Sequence, residues 1–317
     1  VSIDLHAAIL LAAIFGLAVG SWLTTVAHRL PRILEYDWEY GVRDMQPADT
    51  QPADAQPRET QSADTQPGDT QSADTQSADT QPGDTQSADT RPEDAPPRPS
   101  LWRPSCQCPA CGTAIRGWRR LPVAGWLLLR GRCDACGAPI ARRYPLMESL
   151  TALLFALCVW HFGPSLAALC AMALVAALVT LAWIDMETGL LPDVITLPLL
   201  WAGLLVNTLH TFTSPVQAIL GAAVGYIFLR GLHHVFHWVT GREGMGYGDF
   251  KLLAALGAWL GLAALPIVLI IASLSGVAVG MALILTRRLG RNQPQPFGPY
   301  LALAGIVGLL VAGSQVG

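Results

Sequence analysis

Two aspartates stand where apolar stretches end and begin, Asp185 in Trp183-Ile-Asp-Met-Glu187 and Asp249 in Gly246-Tyr-Gly-Asp249. An ionisable group at the mouth of an apolar helix is costly, so each is a functional candidate by default. Two carboxylates held close together share one proton and titrate as a pair. Such a pair can hydrolyse a peptide bond: the ionised member draws a proton from water, and the protonated member polarises the scissile carbonyl and later helps the amine depart. Gly246 and Gly248, lacking side chains, permit unusual backbone angles and a close approach of a substrate strand to Asp249. Asp193, Glu148, Glu243 and Lys251 complete the set of charged candidates near these apolar boundaries. Asp is also a favoured helix N-cap, a role open to Asp249 for a helix beginning near Phe250 and compatible with catalysis. Asp193 reads equally well as the cap of a helix starting around Leu191. Lys251 reads as a counter-charge or as an interfacial anchor.

A second constellation is metal-binding in type. Cys108-x-x-Cys111 and Cys133-x-x-Cys136 are two thiol pairs at chelating spacing, each followed by a glycine, Gly112 and Gly137. Four thiolates complete the tetrahedral shell of a structural Zn2+ and leave no open position for catalysis, so the expectation is a small zinc-ribbon-like domain. Disulfides are the competing reading, disfavoured in a reducing cytoplasmic loop. Cys106 is read as a spectator, and Cys158 and Cys170, within apolar stretches, as packing residues. The seven histidines show no metal-ligand spacing beyond the adjacent His233 and His234.

The elements that must position these groups are membrane helices. Of the 317 residues 52% are hydrophobic and 14% charged, and the mean hydropathy is +0.40, too apolar for an ordinary soluble domain of this size. The net charge of −3 offers no basis for nucleic-acid binding. Ala7 to Val26 is an uncharged run of the ~20 residues needed to cross a ~30 Å hydrocarbon core. It is read as a first spanning helix, because no basic residue precedes it and no small-x-small site follows, as a cleaved signal peptide requires. Further spans are expected near 145–162, 165–184, 191–210, 214–236, 250–263, 265–286 and 299–314, the one at 250–263 being short enough to be tilted, partly buried or re-entrant. The fold class is an all-α polytopic membrane protein of about eight transmembrane helices with a small cytoplasmic cysteine domain.

The organisation that follows is a first helix over 1–27, a cytoplasmic loop over 28–144 and a helix bundle over 145–317. Within the loop, residues 46–95 are ten consecutive pentads such as Gln61-Ser-Ala-Asp-Thr65, without an aromatic or large aliphatic residue. Such a tract cannot offset the entropy of ordering and is expected to be a solvated insertion, with the cysteine domain at about 100–143. Of the 20 Lys and Arg, 14 lie between Arg29 and Arg143. With eight spans, the positive-inside rule puts that loop, the turn near Asp185 and the loops at 237–249 and 287–298 in the cytoplasm, hence both aspartates at one face.

The ordered series of motifs resembles the type IV prepilin peptidase family, bifunctional leader peptidases and N-methyltransferases with a Gly-x-Gly-Asp aspartic site. The series runs from Gly20-Ser21 and Arg29-Leu-Pro31 through the four cysteines to Arg143-Tyr-Pro145 with Glu148. It continues with Asp185, Leu190-Leu-Pro-Asp193, Gly246-Tyr-Gly-Asp-Phe-Lys251, Gly257-Ala-Trp259 and Pro296-Phe-Gly-Pro299. The resemblance implies Asp185 and Asp249 as catalytic residues, type IV prepilins or pseudopilins as substrates, S-adenosylmethionine as methyl donor and a bacterial inner membrane location. Thr24 and Arg120 depart from the asparagines usual in the family, which bears on methylation more than on cleavage. A proton-coupled transporter is the rival class. Its carboxylates should lie near the midplane within repeated spans, and here the carboxylates sit at one boundary and no repeat of the spans is evident.

Overall fold

The computed structural model describes residues 2–45, 98–101, 108, 110–114, 121–241, 246–286 and 295–313. The pentad tract, Cys106, Arg120 and Glu243 lie outside the described residues. The chain is an all-α polytopic membrane protein. Its elements are α1 (Ser2–Met45), α2 (Ala124–Leu128), α3 (Arg143–Phe162), α4 (Leu166–Thr188), α5 (Asp193–Asn207), α6 (Pro215–Thr240), α7 (Tyr247–Leu260), α8 (Leu265–Leu285) and α9 (Gly298–Gly313), with a 3-10 turn at Leu262–Ala264. The described residues form no strand, and Arg132 and Pro139 are joined by an isolated antiparallel bridge.

Each of the eight expected spans is a helix. Among the described residues five, within α1, α3, α4, α6 and α8, are long and apolar enough to cross a membrane. Helices α5, α7 and α9, of 15, 14 and 16 residues, are shorter than the ~20 residues of a perpendicular crossing. Helix α7 is an inner element, packing on α5, α6 and α9, and α9 packs on α4 and α8, whereas α5 turns Val194, Trp201 and Leu205 outward. From Asp249 to Leu260 every residue except Lys251 is buried. A helix clothed in protein need not match the bilayer, which accounts for the short apolar run at 250–263. The outer helices turn side chains such as Ile227 on α6 and Ile270 and Leu274 on α8 outward, the apolar exterior that lipid requires.

The first helix is longer than the apolar run that announces it. It continues through Pro31 to Met45, 44 residues in all, where the sequence reading has a polar region beginning at His28. Residues 32–40 carry neither glycine nor proline, so beyond the bond lost at Pro31 nothing in them stops helix propagation. By its contacts the chain divides into Val1–Leu34 with Pro99–Gly317, and Glu35–Arg98. In the second unit Arg98 pairs with Asp37 at 2.6 Å, and the rings of Tyr36 and Tyr40 lie 4.5 Å apart.

Close backbone approach seats α7. A Cβ on Gly221 of α6 would lie 2.5 Å from the carbonyl oxygen of Gly257 in α7, so only glycine lets these helices touch there. Trp259, fully buried, donates from Nε1 to the Leu199 carbonyl of α5 at 2.8 Å. Asn207, at the end of α5, donates from Nδ2 to the carbonyls of Ala258 and Trp259 at 2.7 and 2.9 Å. Its Oδ1 accepts from the N–H groups of Phe212 and Thr213 at 3.0 and 3.1 Å. This buried amide uses all its capacity to tie the end of α7 to the turn after α5.

Candidate active site

Asp185 lies in the last turn of α4 and Asp249 in the first turn of α7, and they are 4% and 5% exposed. Sixty-four residues apart in sequence, they sit on helices that both pack against α9. Asp185 Oδ2 accepts from the Gly298 N–H at 2.9 Å, a buried bond from the first residue of α9. Asp249 Oδ1 is buried and has no hydrogen-bond partner among the described residues. A buried polar atom left open in this way marks a place where a ligand or reacting group can be bound.

The helix carrying Asp249 begins at Tyr247 rather than near Phe250, and its N-cap is Gly246, with no side-chain cap bond. Asp249 is thus two residues inside the helix and leaves the capping role unused. The two glycines divide their work. A Cβ on Gly248 would lie 2.5 Å from Leu191 Cβ, so the room there is taken by the segment before α5 rather than left for a substrate. At Gly246 the nearest atom to such a Cβ is Asp249 Oδ2 at 3.8 Å, and that side stays open.

Asp193 is the first residue of α5, follows Pro192 at the N-cap and makes no cap bond. Both its oxygens instead accept from Lys251 Nζ, at 2.7 and 2.6 Å. Lys251 is therefore the counter-charge of Asp193, and the pair joins the first turns of α5 and α7 two residues from Asp249. Glu148 is spent elsewhere: it is 7% exposed, and its Oε2 accepts from the Val123 N–H at 2.7 Å. Val123 holds a left-handed φ of 54°, unusual for a β-branched residue, and the Glu148 carboxylate secures it at the start of α2.

Glu187, two residues after Asp185 in α4, is not among the candidates read from sequence. It accepts from Arg143 at 2.7 Å and from Trp183 Nε1 at 3.1 Å. These three residues with Thr24, His28 and Tyr144 line a cavity of about 10 Å³, space for roughly one water and far below what a methyl donor occupies.

The four cysteines converge as their spacing requires. The Sγ atoms of Cys108, Cys111, Cys133 and Cys136 all lie within 4.8 Å of one another, with Cys108–Cys136 at 3.8 Å and Cys111–Cys133 at 4.0 Å. A tetrahedral Zn2+ with ~2.3 Å bonds to sulfur sets its sulfurs about 3.8 Å apart, so the tetrad fits that ion. Two matching turns build it. Gly112 and Gly137, at φ 69° and 72°, return their N–H groups to the carbonyls of Cys108 and Cys133, while the N–H groups of Cys108 and Cys133 reach Thr113 and Ala138. All four are free thiols, not disulfides. Hydrogen bonds from Thr113 draw the Cys111 thiol down to about 6. At Cys136 the Ala138 N–H acts in the same direction, but Cys111, burial and the other two sulfurs outweigh it and push the thiol up to about 12. Crowded sulfurs that resist joint ionisation are neutralised by a divalent cation at their centre.

Comparison with known proteins follows the same division. Residues 14–162 match the Bacterial Peptidase A24 N-terminal domain, and residues 172–281 match the Type IV leader peptidase family. A protein of Aeromonas salmonicida named prepilin leader peptidase/N-methyltransferase is 43% identical over 300 residues, covering 95% of this chain and 89% of that protein. One of the same name from Stutzerimonas stutzeri is 38% identical over 304 residues, covering 95% and 90%. Another from Aeromonas hydrophila is 54% identical over 190 residues, which span 60% of this chain and 66% of the relative. No solved structure matches. With relatives aligned along nearly its whole length and a buried carboxylate pair in the matched region, the chain belongs to the type IV leader peptidase family.

Proposed function

We propose that this chain is a membrane aspartic endopeptidase that removes the leader of type IV prepilins or pseudopilins and then methylates the new N-terminus, with Asp185 and Asp249 as the reacting pair. The observation that carries the reading is the burial of both carboxyls at the ends of different helices that pack on α9, with Asp249 Oδ1 unpartnered among the described residues. Hydrolysis by such a pair needs only a water and a carbonyl between the carboxyls. The open side at Gly246 supports entry of an extended peptide.

The distribution of Lys and Arg supports a bacterial inner membrane protein with both aspartates at the cytoplasmic face. A basic leader retained on that side would present its junction with the following apolar helix at the same depth. The leader is cut there, and the amine released is the acceptor of a methyl group from S-adenosylmethionine. Cys108, Cys111, Cys133 and Cys136 hold a structural Zn2+, which supplies cross-linking rather than chemistry because four protein ligands fill its shell. Asp193 with Lys251, and Gly246 with Gly248, support the turn that carries Asp249. The pentad tract serves as a linker that cleavage does not need.

The test is cleavage of a prepilin peptide by detergent-solubilised protein. Asp185→Asn and Asp249→Asn are each expected to lower kcat by at least about 1,000-fold with the fold intact. Wild-type cleavage by either variant would overturn the reading.

A further inference from the structure

The two aspartates are not equivalent in their surroundings. Asp185 Oδ2 receives the Gly298 N–H; Asp249 turns Oδ2 toward Gly246, and its Oδ1 has no partner among the described residues. Gly298 lies between Phe297 and Pro299, with Pro296 before them, so in Pro296-Phe-Gly-Pro299 only Phe297 and Gly298 have an N–H at all. The first N–H groups of a helix have no partner within it. At the start of α9 one of them is met by a side chain from α4, 113 residues away. The residue must also be small: a Cβ at position 298 would lie 2.6 Å from Asp185 Oδ2.

We propose that the backbone N–H of Gly298 is a positioning group for the peptidase reaction, holding Asp185 as the acceptor-only carboxylate and leaving Asp249 to carry the shared proton. This rests on the reading of Asp185 and Asp249 as the reacting pair and assigns their roles. A hydrogen bond from a backbone N–H is strengthened when its acceptor is ionised. A proton on Oδ2 would compete with the N–H for that oxygen, so a proton that Asp185 takes up during the reaction goes to its other oxygen. Asp249 Oδ1 has no donor among the described residues, so a proton there displaces none of their bonds and is free to reach a substrate oxygen.

The reaction then runs in one direction. Asp185 takes a proton from water on its free oxygen as the water oxygen bonds to the scissile carbonyl carbon. Asp249 gives its proton to the carbonyl oxygen, forming a neutral gem-diol. Next the proton on Asp185 passes to the amide nitrogen as the C–N bond breaks, and a gem-diol hydroxyl returns its proton to Asp249. The products are a carboxylic acid and an amine, and both aspartates regain their starting states.

Gly298→Ala would displace the Asp185 carboxyl while leaving its chemistry in place, the kind of misplacement that costs about 100-fold in rate. The expected result is a kcat for leader cleavage lowered by about 100-fold, KM within about threefold and N-methylation of a pre-cleaved pilin peptide unchanged. Gly305→Ala is the packing control on the same helix, since its Cβ would lie 2.5 Å from Leu256 Cδ2, away from the carboxylates. It should lower thermal stability and leave kcat per folded molecule unchanged. Amide hydrogen exchange over residues 296–299 gives a measurement in the unmodified protein: one protected amide in wild type, released in Asp185→Ala. Wild-type kcat in Gly298→Ala, equal loss of cleavage and methylation, or free exchange at Gly298 in wild type would overturn the proposal. If the two Asp→Asn variants are inactive while Gly298→Ala is fully active, the role assignment falls and the aspartate pair stands.

Discussion

Around Asp249 the protein is dense: the helix that follows is buried on every side, tied by Asn207 and Trp259, and touching α6 at backbone distance through Gly221 and Gly257. Around Cys111 and Cys136 it is sparse, with both residues exposed and the local geometry made by two glycine turns and a few backbone hydrogen bonds. The first region can hold a reactive pair in register by packing alone. Among the described residues of 108–140 few besides Cys108 are buried, and the ion that the four sulfurs fit would supply the cross-link that packing does not. The proposed reactive pair is thus preorganised by burial, and the cysteine tetrad by two turns that bring its sulfurs to coordinating distance.

Removing the metal should separate the two regions most strongly. Chelation, or Cys108→Ser with Cys133→Ser, is expected to unfold residues 108–140 in amide hydrogen exchange while Phe250 to Leu260 stays protected. A zinc stoichiometry of about one, lost in the variant, accompanies it. Acidification should weaken metal binding and act in the same direction, because the thiolates must stay deprotonated to bind. Loss of protection in both regions together would erase the contrast.

A smaller effect should come from the dense side. Asn207→Ala strands two carbonyls and two N–H groups, each worth about 1–3 kcal/mol if left unpaired. A stability loss of at least about 2 kcal/mol in denaturant unfolding, with metal content unchanged, is expected. The smallest belongs to the Lys251–Asp193 pair, whose side chains are 28% and 52% exposed and therefore screened. Lys251→Met should cost no more than about 1 kcal/mol. A larger loss in the same unfolding assay would mean that the pair holds α7 rather than decorating it.

How far these features could be read from residues alone depended on what kind of group makes them. Asp185, Asp249 and the four cysteines were legible because charged side chains at apolar boundaries and paired thiols are rare without a purpose. The eight helical segments followed from apolar runs, but α1 outran its own to Met45, because helix propagation needs no hydrophobicity. Glu148 carried the same signal as the aspartates yet is engaged by the Val123 N–H, a partner in a segment whose position no spacing announces. Asn207 gave a usable sign, an amide inside an apolar span, that the reading passed over. The contact between Gly298 and Asp185 left almost none, since its donor is a backbone group and only the glycine between Phe297 and Pro299 hints at it.

The central claim is that Asp185 and Asp249 act on one peptide bond as a unit, and the double variant tests it most directly. Single-turnover cleavage of a prepilin peptide should be as slow in Asp185→Asn/Asp249→Asn as in either single variant, because a pair that works jointly is lost once. Rate losses that multiply, or a single variant that still cuts at the wild-type rate, would contradict it.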